Sequence, residues 1–512
     1  MPTRWQTFPI EFRGGLRSDL GTLVQGVQAT GSATTLQNFE PAKEGGYRKI
    51  LGYSKYDPNE IPGTGPVLGV AVTESSEVVA SRENASGKTE YFYSQGLGWT
   101  SAGSSTTGVS GKVQVTEYKF GTDRKFAFAD KVNYPVVYNT TTNTISEIAV
   151  ADLLGASWVN EFKHHLFVAV GNQLYFSEPF SDSGWTPGGG AGVVNVGQDI
   201  TGLAVFRDEL FIFSYNKIQK LSGSSVSDFV LNPVAENMGC ICGCTIQEVG
   251  GDVAFMAPDG VRLLSATDRN NDFGLNILSD LIPREYRSFS TTASWFNSLV
   301  LRGKAQYRLF SYDQAVPRES TPGLLFTKFA DQGPSDIAWA TTMGFKVHCC
   351  DSRYTPDGEV AVFGDDLGFV YRLETGSDFD GDPIESIYRS SDLPIDDPKV
   401  RKTLYRAVLY TDVTGAVDIK LGLNFDLPRV TNYNKVAAPE VSLTISQGGV
   451  FVYGSPTTVY GTATYGAELD SVFETPLIGA GKTFTFNITD NSTNPTFTID
   501  SIVFDYQSHD KQ

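Results

Sequence analysis

The feature that most restricts the fold of this chain is an internal repeat. Residues 91–101 read YFYSQGLGWTS and residues 175–187 read YFSEPFSDSGWTP. Both run Tyr-Phe, a Ser, a short Gly-containing turn, then Gly-Trp-Thr. Trp99 and Trp185 lie 86 residues apart, which is two units of about 43. A second pattern falls into the same spacing. FKHHLFVAVGNQLYFS begins at Phe162, FRDELFIFSYNKIQKLS at Phe206, 44 residues on, and EVGGDVAFMAPDGVRLLS at Glu248, 42 further. Each is an alternating strand, a short polar turn (Gly171-Asn172, Tyr215-Asn216, Pro258-Asp259-Gly260) and a second strand. The alternation puts Leu166, Val168 and Val170 on one face, the period of a half-buried strand. Weaker copies stand at 118–139, 296–312 and 354–374.

Periods of roughly 40–50 residues, with two clear inner strands and a Trp or Tyr near the end, match four-stranded propeller blades. Six or seven candidate hairpins fall between residues 65 and 376. Radial repetition also solves the problem of exposed sheet edges. Unrelated hairpins stacked in two sandwiches would have no reason to keep the spacing. Composition agrees: 52 Gly, 12% aromatics, 4 Met and 19% charged residues leave little for long helices.

At 512 residues the chain exceeds one ordinary core. After residue 376 the texture changes to a Pro- and Asp-rich link. Alternating strands follow, then Thr-rich ones from 440 to 508, TATYGAELD and KTFTFNITDNSTNPTFTIDSIVFDY among them. The expected fold class is all-β. An extended N-terminal arm (1–60) has no room for its own core and packs on the other domains. A β-propeller-like body (61–376) and a C-terminal β-sandwich (377–512) follow.

The net charge is −18 and the pI about 4.7. That argues against tight gripping of nucleic acid, because phosphate affinity comes from Lys and Arg displacing counterions. An acidic wall would let DNA slide past; the same charge also serves plain solubility. The five Cys form two clusters, CICGC (Cys240, Cys242, Cys244) and HCCD (Cys349, Cys350). Their odd number and adjacency argue against a disulfide framework and for a reducing compartment. There is no apolar leader, and no apolar run reaches the roughly 18 residues of a membrane span. A soluble product made in a cytoplasm is expected.

No stretch carries a catalytic signature: G-x-S-x-G, H-E-x-x-H and Walker A are all absent, and only four His occur. SDSGW (181–185) resembles the Asp box of sialidase-like propellers, but its Trp follows the Gly directly, and the box is a turn motif in any case. DFDGD (Asp378–Asp382) offers alternate carboxylates, yet the twelfth position is Arg389, which cannot ligate calcium. It reads as a polar turn between domains. CICGC lacks the C-x2-C spacing of most zinc sites, and His348 could join it only through the fold. Alternate Cys on one strand would point together into a core as small apolar residues. His164 and His165 have no nucleophile pattern nearby. With 58 acids, paired carboxylates carry no information. The basic run KVRKTLYR (Lys399–Arg406) is either a solvated strand face or a partner interface. The sequence therefore predicts no catalytic, cofactor-binding or metal site, and no enzyme.

One segment remains: NFEPAKEGGYRKILGY, Asn38 to Tyr53. Asn38, Phe39, Pro41, Gly45, Gly46, Arg48, Lys49 and Gly52 follow an N-terminal motif of tail proteins in short-tailed bacteriophages. A second segment, FDGDPIESIYRSSDLPIDDPKVRKTLYRAVL (Phe379–Leu409), resembles the strand and Asp-Pro-x-x-Arg-Lys step that precede a sandwich in those proteins. The chain thus resembles the tail nozzle family, also called tail tubular protein B or the packaged-DNA stabilisation type. The resemblance implies a homo-hexameric ring in the virion tail, made in the host bacterial cytoplasm. It implies a ring that continues the DNA channel below portal and adaptor, retains packaged genomic DNA and opens for ejection. Adaptor (head-to-tail connector) and tail fibre or spike proteins would be its partners. Gate candidates are the Gly-rich 186–197 and 315–336, each of which also reads as a plain inter-strand loop. The alternatives are a phage-borne propeller glycan hydrolase, which needs two carboxylates in a cleft, or a carbohydrate-binding adhesin with an exposed aromatic patch.

Overall fold

The computed structural model describes residues 5–105, 111–264, 277–329, 337–413, 415–425, 441–445 and 472–509. The fold is all-β. Seven antiparallel sheets stand around one axis. Blade 1 runs Thr64–Val72, Val78–Glu83, Thr89–Ser94, Thr100–Ser104; blade 2 runs Gln114–Tyr118, Lys125–Ala129, Val136–Asn139, Thr144–Glu147. Blade 3 (Trp158–Phe162, His165–Val170, Gln173–Phe176, Gly192–Asn195) and blade 4 (Ile200–Phe206, Glu209–Ser214, Lys217–Ser222, Val230–Glu236) repeat the meander. Blade 5 has three strands among the described residues: Gln247–Val249, Asp252–Ala257 and Gly260–Leu263. Blade 6 is Trp295–Leu301, Gln306–Tyr312, Pro322–Lys328 and Ile337–Met343. Blade 7 is Cys349–Thr355, Gly358–Gly364 and Val370–Leu373, and its fourth strand, Tyr53–Lys55, comes from the arm. The innermost strand of blade 7 packs on that of blade 1, which closes the ring.

The repeat read from sequence has a structural register. Tyr91 and Tyr175 both sit in the third strand of a blade, and Trp99 and Trp185 both lie between the third and fourth. Phe162 and Phe206 end the first strands of blades 3 and 4. One expectation needs correcting. The strand His165–Val170 is buried on both faces, not one. Leu166 and Val168 pack toward Ala127, Ala129 and Val137 of blade 2. Phe167 and Ala169 pack toward Leu203, Leu210 and Ile212 of blade 4. A blade in a ring has a neighbour on each side, so the polar half of the alternation disappears.

The sandwich faces two sheets. One contains Phe39–Pro41, Tyr47–Lys49, Phe497–Ser508, Lys402–Val413 and Val472–Gly481, with Gln6–Glu11 also paired to Phe497–Ser508. The other contains Ile384–Ser390, Phe484–Ser492, Val417–Phe425 and Val441–Ile445. Aromatic rings fill the space between: Phe12 meets Tyr388 at 4.9 Å and Phe486 meets Phe504 at 5.3 Å. Ala33–Gln37 pairs antiparallel with Ile384–Ser390 and, at Gln37, parallel with Thr341. Blade 6 and the second sheet thereby become one nine-stranded sheet. The arm is more than an extended strap, since it folds one helix, Thr22–Gln28, and adds strands to both sandwich sheets and to blade 7. The segment TATYGAELD lies outside the described residues.

Candidate functional site: the arm junction and the crossed propeller axis

The segment Asn38–Tyr53 is where propeller and sandwich are tied together. Asn38 sits in the left-handed region (φ 52°), which Asn tolerates better than most residues. Its side chain accepts from the Met343 amide of blade 6 at 2.9 Å and donates to the Glu385 carbonyl of the sandwich at 2.8 Å. Gly45 and Gly46 (φ 108° and 73°) turn the hairpin that follows. A Cβ on Gly46 would stand 2.5 Å from the Ile499 carbonyl, so only glycine fits there.

Two buried charge clusters flank that hairpin. Glu40 receives Arg48 and Lys304 at 2.7 Å each and Arg308 at 3.1 Å. Arg308 also reaches Glu374 at 2.7 Å, and Lys304 pairs with the same carboxylate. Arm, blade 6 and blade 7 thus share one network. Burial opposes ionisation of Glu40, but Lys304, Arg308 and Arg48 outweigh it and hold the carboxyl well below the usual range. Lys49 meets Asp490 of the sandwich at 2.5 Å, and neither side chain touches solvent. Past them, Gly52 lies so close to Asp378 that a Cβ would fall 1.7 Å from its carbonyl oxygen. Tyr53 then stacks on Phe379 at 4.8 Å and donates to the Gly344 carbonyl at 3.0 Å.

The second site is on the propeller axis. Gln114 of blade 2 donates to the Cys244 thiol, ahead of blade 5, at 3.2 Å. Lys112, just before blade 2, donates to Asn297 of blade 6 at 2.6 Å. Blade 2 is a ring neighbour of neither, so both bonds cross the axis. Ser298 donates to the Cys244 carbonyl (2.9 Å), and Cys350 donates to the Ser298 carbonyl (3.3 Å). His348 packs edge-on to Trp295 (4.6 Å) and Tyr312 (4.9 Å). Burial and the charge of Lys112 push its imidazole down to about 3, so it stays neutral.

The fold therefore brings the two Cys clusters and His348 to one region, which sequence spacing could not show. The expectation that CICGC is a strand pointing its thiols into a core is corrected. Cys240, Cys242 and Cys244 line the crossover from blade 4 to blade 5, which ends in the short helical turn Gly243–Thr245. Gly239 and Gly243 permit it, because a Cβ would stand 1.9 Å from the Ser214 carbonyl and 2.2 Å from the Thr201 carbonyl. Cys240 and Cys349 are buried, the other three partly so. Among the described residues no three His, Cys, Asp or Glu side chains are placed to hold a metal ion.

The remaining candidates have structural surroundings. Asp182 of SDSGW accepts from Tyr118 (2.8 Å) and Lys125 (2.7 Å) of blade 2, and the Trp185 indole donates to its carbonyl. In DFDGD, Asp378 caps a turn by accepting from the Gly381 amide at 2.7 Å, and Asp380 faces Lys55 at 3.5 Å. His165 is buried against Phe167, Phe176 and Phe229, with Nδ1 2.5 Å from the Ser177 carbonyl. His164 stacks on Phe180. Of the basic run, Lys402 is buried and donates to the Pro394 carbonyl at 2.5 Å, while Arg406 pairs with Asp505 and Glu474. These two of its four cations are thus engaged within the chain. Among the described residues each gate candidate is part inter-strand connection and part strand. Gly192–Asn195 is the outer strand of blade 3, and Pro322–Lys328 is a buried strand of blade 6. Residues 330–336 of the second candidate lie outside the described residues.

No protein-family model matches the sequence, and no curated protein matches it. Among solved structures it is similar to a chain in the crystal structure of a mitotic checkpoint complex. The identity is 10%, over 63% of this chain and 93% of that one, with a TM-score of 0.42. The structure of U3-55K and the crystal structure of RRP9 WD40 repeats align at 10% identity over 63% of this chain and 99% of each, with TM-scores of 0.41 and 0.40. Among the described residues no helix is long and apolar enough to cross a membrane.

Proposed function

We propose that this chain is a non-enzymatic structural protein of a short-tailed phage virion, the subunit of the tail nozzle. The observation that carries the reading is the place of the Asn38–Tyr53 segment. The stretch that resembles the nozzle family is the one that joins propeller to sandwich through Asn38, Lys49 and Tyr53. A wall that must hold packaged DNA under pressure needs domains that do not swing, and buried ties of this kind supply that stiffness. The axis adds a constraint. Side-chain bonds between Gln114 and Cys244, and between Lys112 and Asn297, leave no room for a duplex inside one propeller. The DNA path would therefore run between copies, in a closed cyclic ring with heterologous interfaces. In this reading the ring is a homo-hexamer, seated on the adaptor and carrying fibres or spikes. The net charge of −18 suits a wall that DNA passes without sticking.

The test is quantitative mass spectrometry of purified virions that carry this chain. The expected result is half as many copies of it as of the portal protein. Its absence from virions, or ordinary turnover of a polysaccharide by the purified chain, would overturn the reading.

A further inference from the structure

The conduit reading makes no use of the thiols gathered on the propeller axis. They are chemically unequal. Cys240 and Cys349 are sealed in the core, and burial pushes each up to about 12. Cys350 donates its proton to the Ser298 carbonyl, and burial raises it as well. Cys244, partly exposed like Cys242 and Cys350, differs in its partners: its sulfur accepts from the Gln114 amide at 3.2 Å, and the Lys112 ammonium lies beside it. Hydrogen bonding from Cys242 first, then the charge of Lys112, holds it below the ordinary thiol range against the effect of burial. Cys242, one residue removed across Gly243, is also partly exposed, has its sulfur 3.4 Å from the Phe296 carbonyl, and is raised by its hydrogen bond with Cys244 and by burial. A sulfur that accepts an amide hydrogen bond beside an ammonium, with a second partly exposed cysteine two residues away, is the arrangement of an attacking and a resolving cysteine.

We infer that Cys244 and Cys242 form a peroxide-sensitive dithiol, with Cys244 as the nucleophile and Cys242 as the resolving thiol. The Cys244 sulfur attacks one oxygen of hydrogen peroxide. The O–O bond breaks, hydroxide leaves, and Cys244 becomes a sulfenic acid. The Cys242 sulfur, giving up its proton, then attacks the Cys244 sulfur. The S–O bond breaks, water leaves, and a disulfide forms. The two thiols supply the electron pair that reduces the peroxide. Oxidation would take the Cys244 sulfur out of its bond with Gln114, one of the links across the axis.

The experiment uses the full chain, treated with dilute hydrogen peroxide, blocked with iodoacetamide and mapped by fragment-ion mass spectrometry. The expected product lacks a pair of hydrogen atoms between Cys242 and Cys244 and leaves Cys240, Cys349 and Cys350 alkylatable after unfolding. Cys242→Ser is expected to stop at the sulfenic acid, which dimedone captures on Cys244. Lys112→Met, checked for an unchanged fold by its melting curve, is expected to slow native-state alkylation of Cys244 by about tenfold. The proposal falls if native Cys244 is alkylated no faster than Cys350. It also falls if dimedone labels another cysteine, or if the thiols survive peroxide that oxidises a free cysteine peptide.

Discussion

Blades 3 and 7 are built from the same meander but closed in different ways. Blade 3 takes its four strands from one stretch, 158–195, and each strand pairs with the next in sequence. Blade 7 takes three strands from 349–373 and the fourth from Tyr53–Lys55, almost 300 residues earlier. The local blade pays only for short loops, so its closure entropy is small. The stitched blade orders a very long loop. It is offset by what the arm buries on the way: the Tyr53 ring in an aromatic cluster, the Lys49–Asp490 pair, and the Glu40 network. The difference shows where rigidity between the domains comes from. Local blades hold themselves together, and the arm holds the blades to the sandwich.

The largest effect should follow from removing the arm. Deletion of residues 1–55 strips the fourth strand from blade 7 and strands from both sandwich sheets. The expected outcome is an aggregating chain with no cooperative melting transition, whereas a folded, monodisperse product would show that the local blades suffice. Next comes the buried ion pair. Asp490→Ala leaves the Lys49 ammonium in a site without solvent, at a cost of about 3–5 kcal/mol. Chemical denaturation measures it. Lys49→Met combined with Asp490→Leu should recover most of that loss, because the pair's own desolvation penalty disappears with it. If the double variant is no better than Asp490→Ala, shape and not charge is what the arm contributes.

The same contrast explains what could be read from sequence. The propeller was legible because each local blade repeats strand, turn and strand at one spacing. The Tyr-Phe step recurs in the third strand of blades 1 and 3, and the Trp of the Gly-Trp-Thr step recurs between the third strand and the fourth. The sandwich was legible from its alternating Thr-rich strands. The partners of the arm were not. Glu40 meets Lys304 and Arg308, and Lys49 meets Asp490, across hundreds of residues with no periodicity to announce it. Glycines whose Cβ would collide with backbone, such as Gly46 and Gly52, were the local trace of that close packing. The axis was equally hidden, because Gln114 and Lys112 carry no motif, and only ring closure brings them to Cys244 and Asn297.

Acid should separate the two regions further. His348 is neutral in the fold, pushed down to about 3, while an unfolded histidine titrates near about 6.5. Between those values the unfolded chain binds the extra proton, so stability falls as pH drops below about 6.5. The slope from this group approaches about 1.4 kcal/mol per pH unit. His348→Gln should flatten the slope between pH 6 and 5 in urea titrations of the whole chain. The Glu40 carboxyl, held below the usual range, adds stability that is present above that range. It is lost only as pH falls through it, a lower window that Glu40→Gln would isolate. An unchanged slope in His348→Gln would mean that the imidazole is protonated in the fold after all.

The smallest expected effect lies inside the local part of the ring. Asp182→Ala removes the acceptor that ties Tyr118 and Lys125 of blade 2 to the SDSGW turn of blade 3. The ion pair is partly exposed and screened, so the cost is mainly the Tyr118 hydroxyl left without its partner, about 1 kcal/mol. What matters is where that loss appears. If adjacent local blades are nearly independent units, hydrogen exchange should quicken only in Gln114–Tyr118, Lys125–Ala129 and the turn before Gly192–Asn195. The arm strands should stay as protected as before. Faster exchange at Tyr53–Lys55 as well would mean that strain passes around the whole ring, and that local and stitched blades share a single cooperative unit.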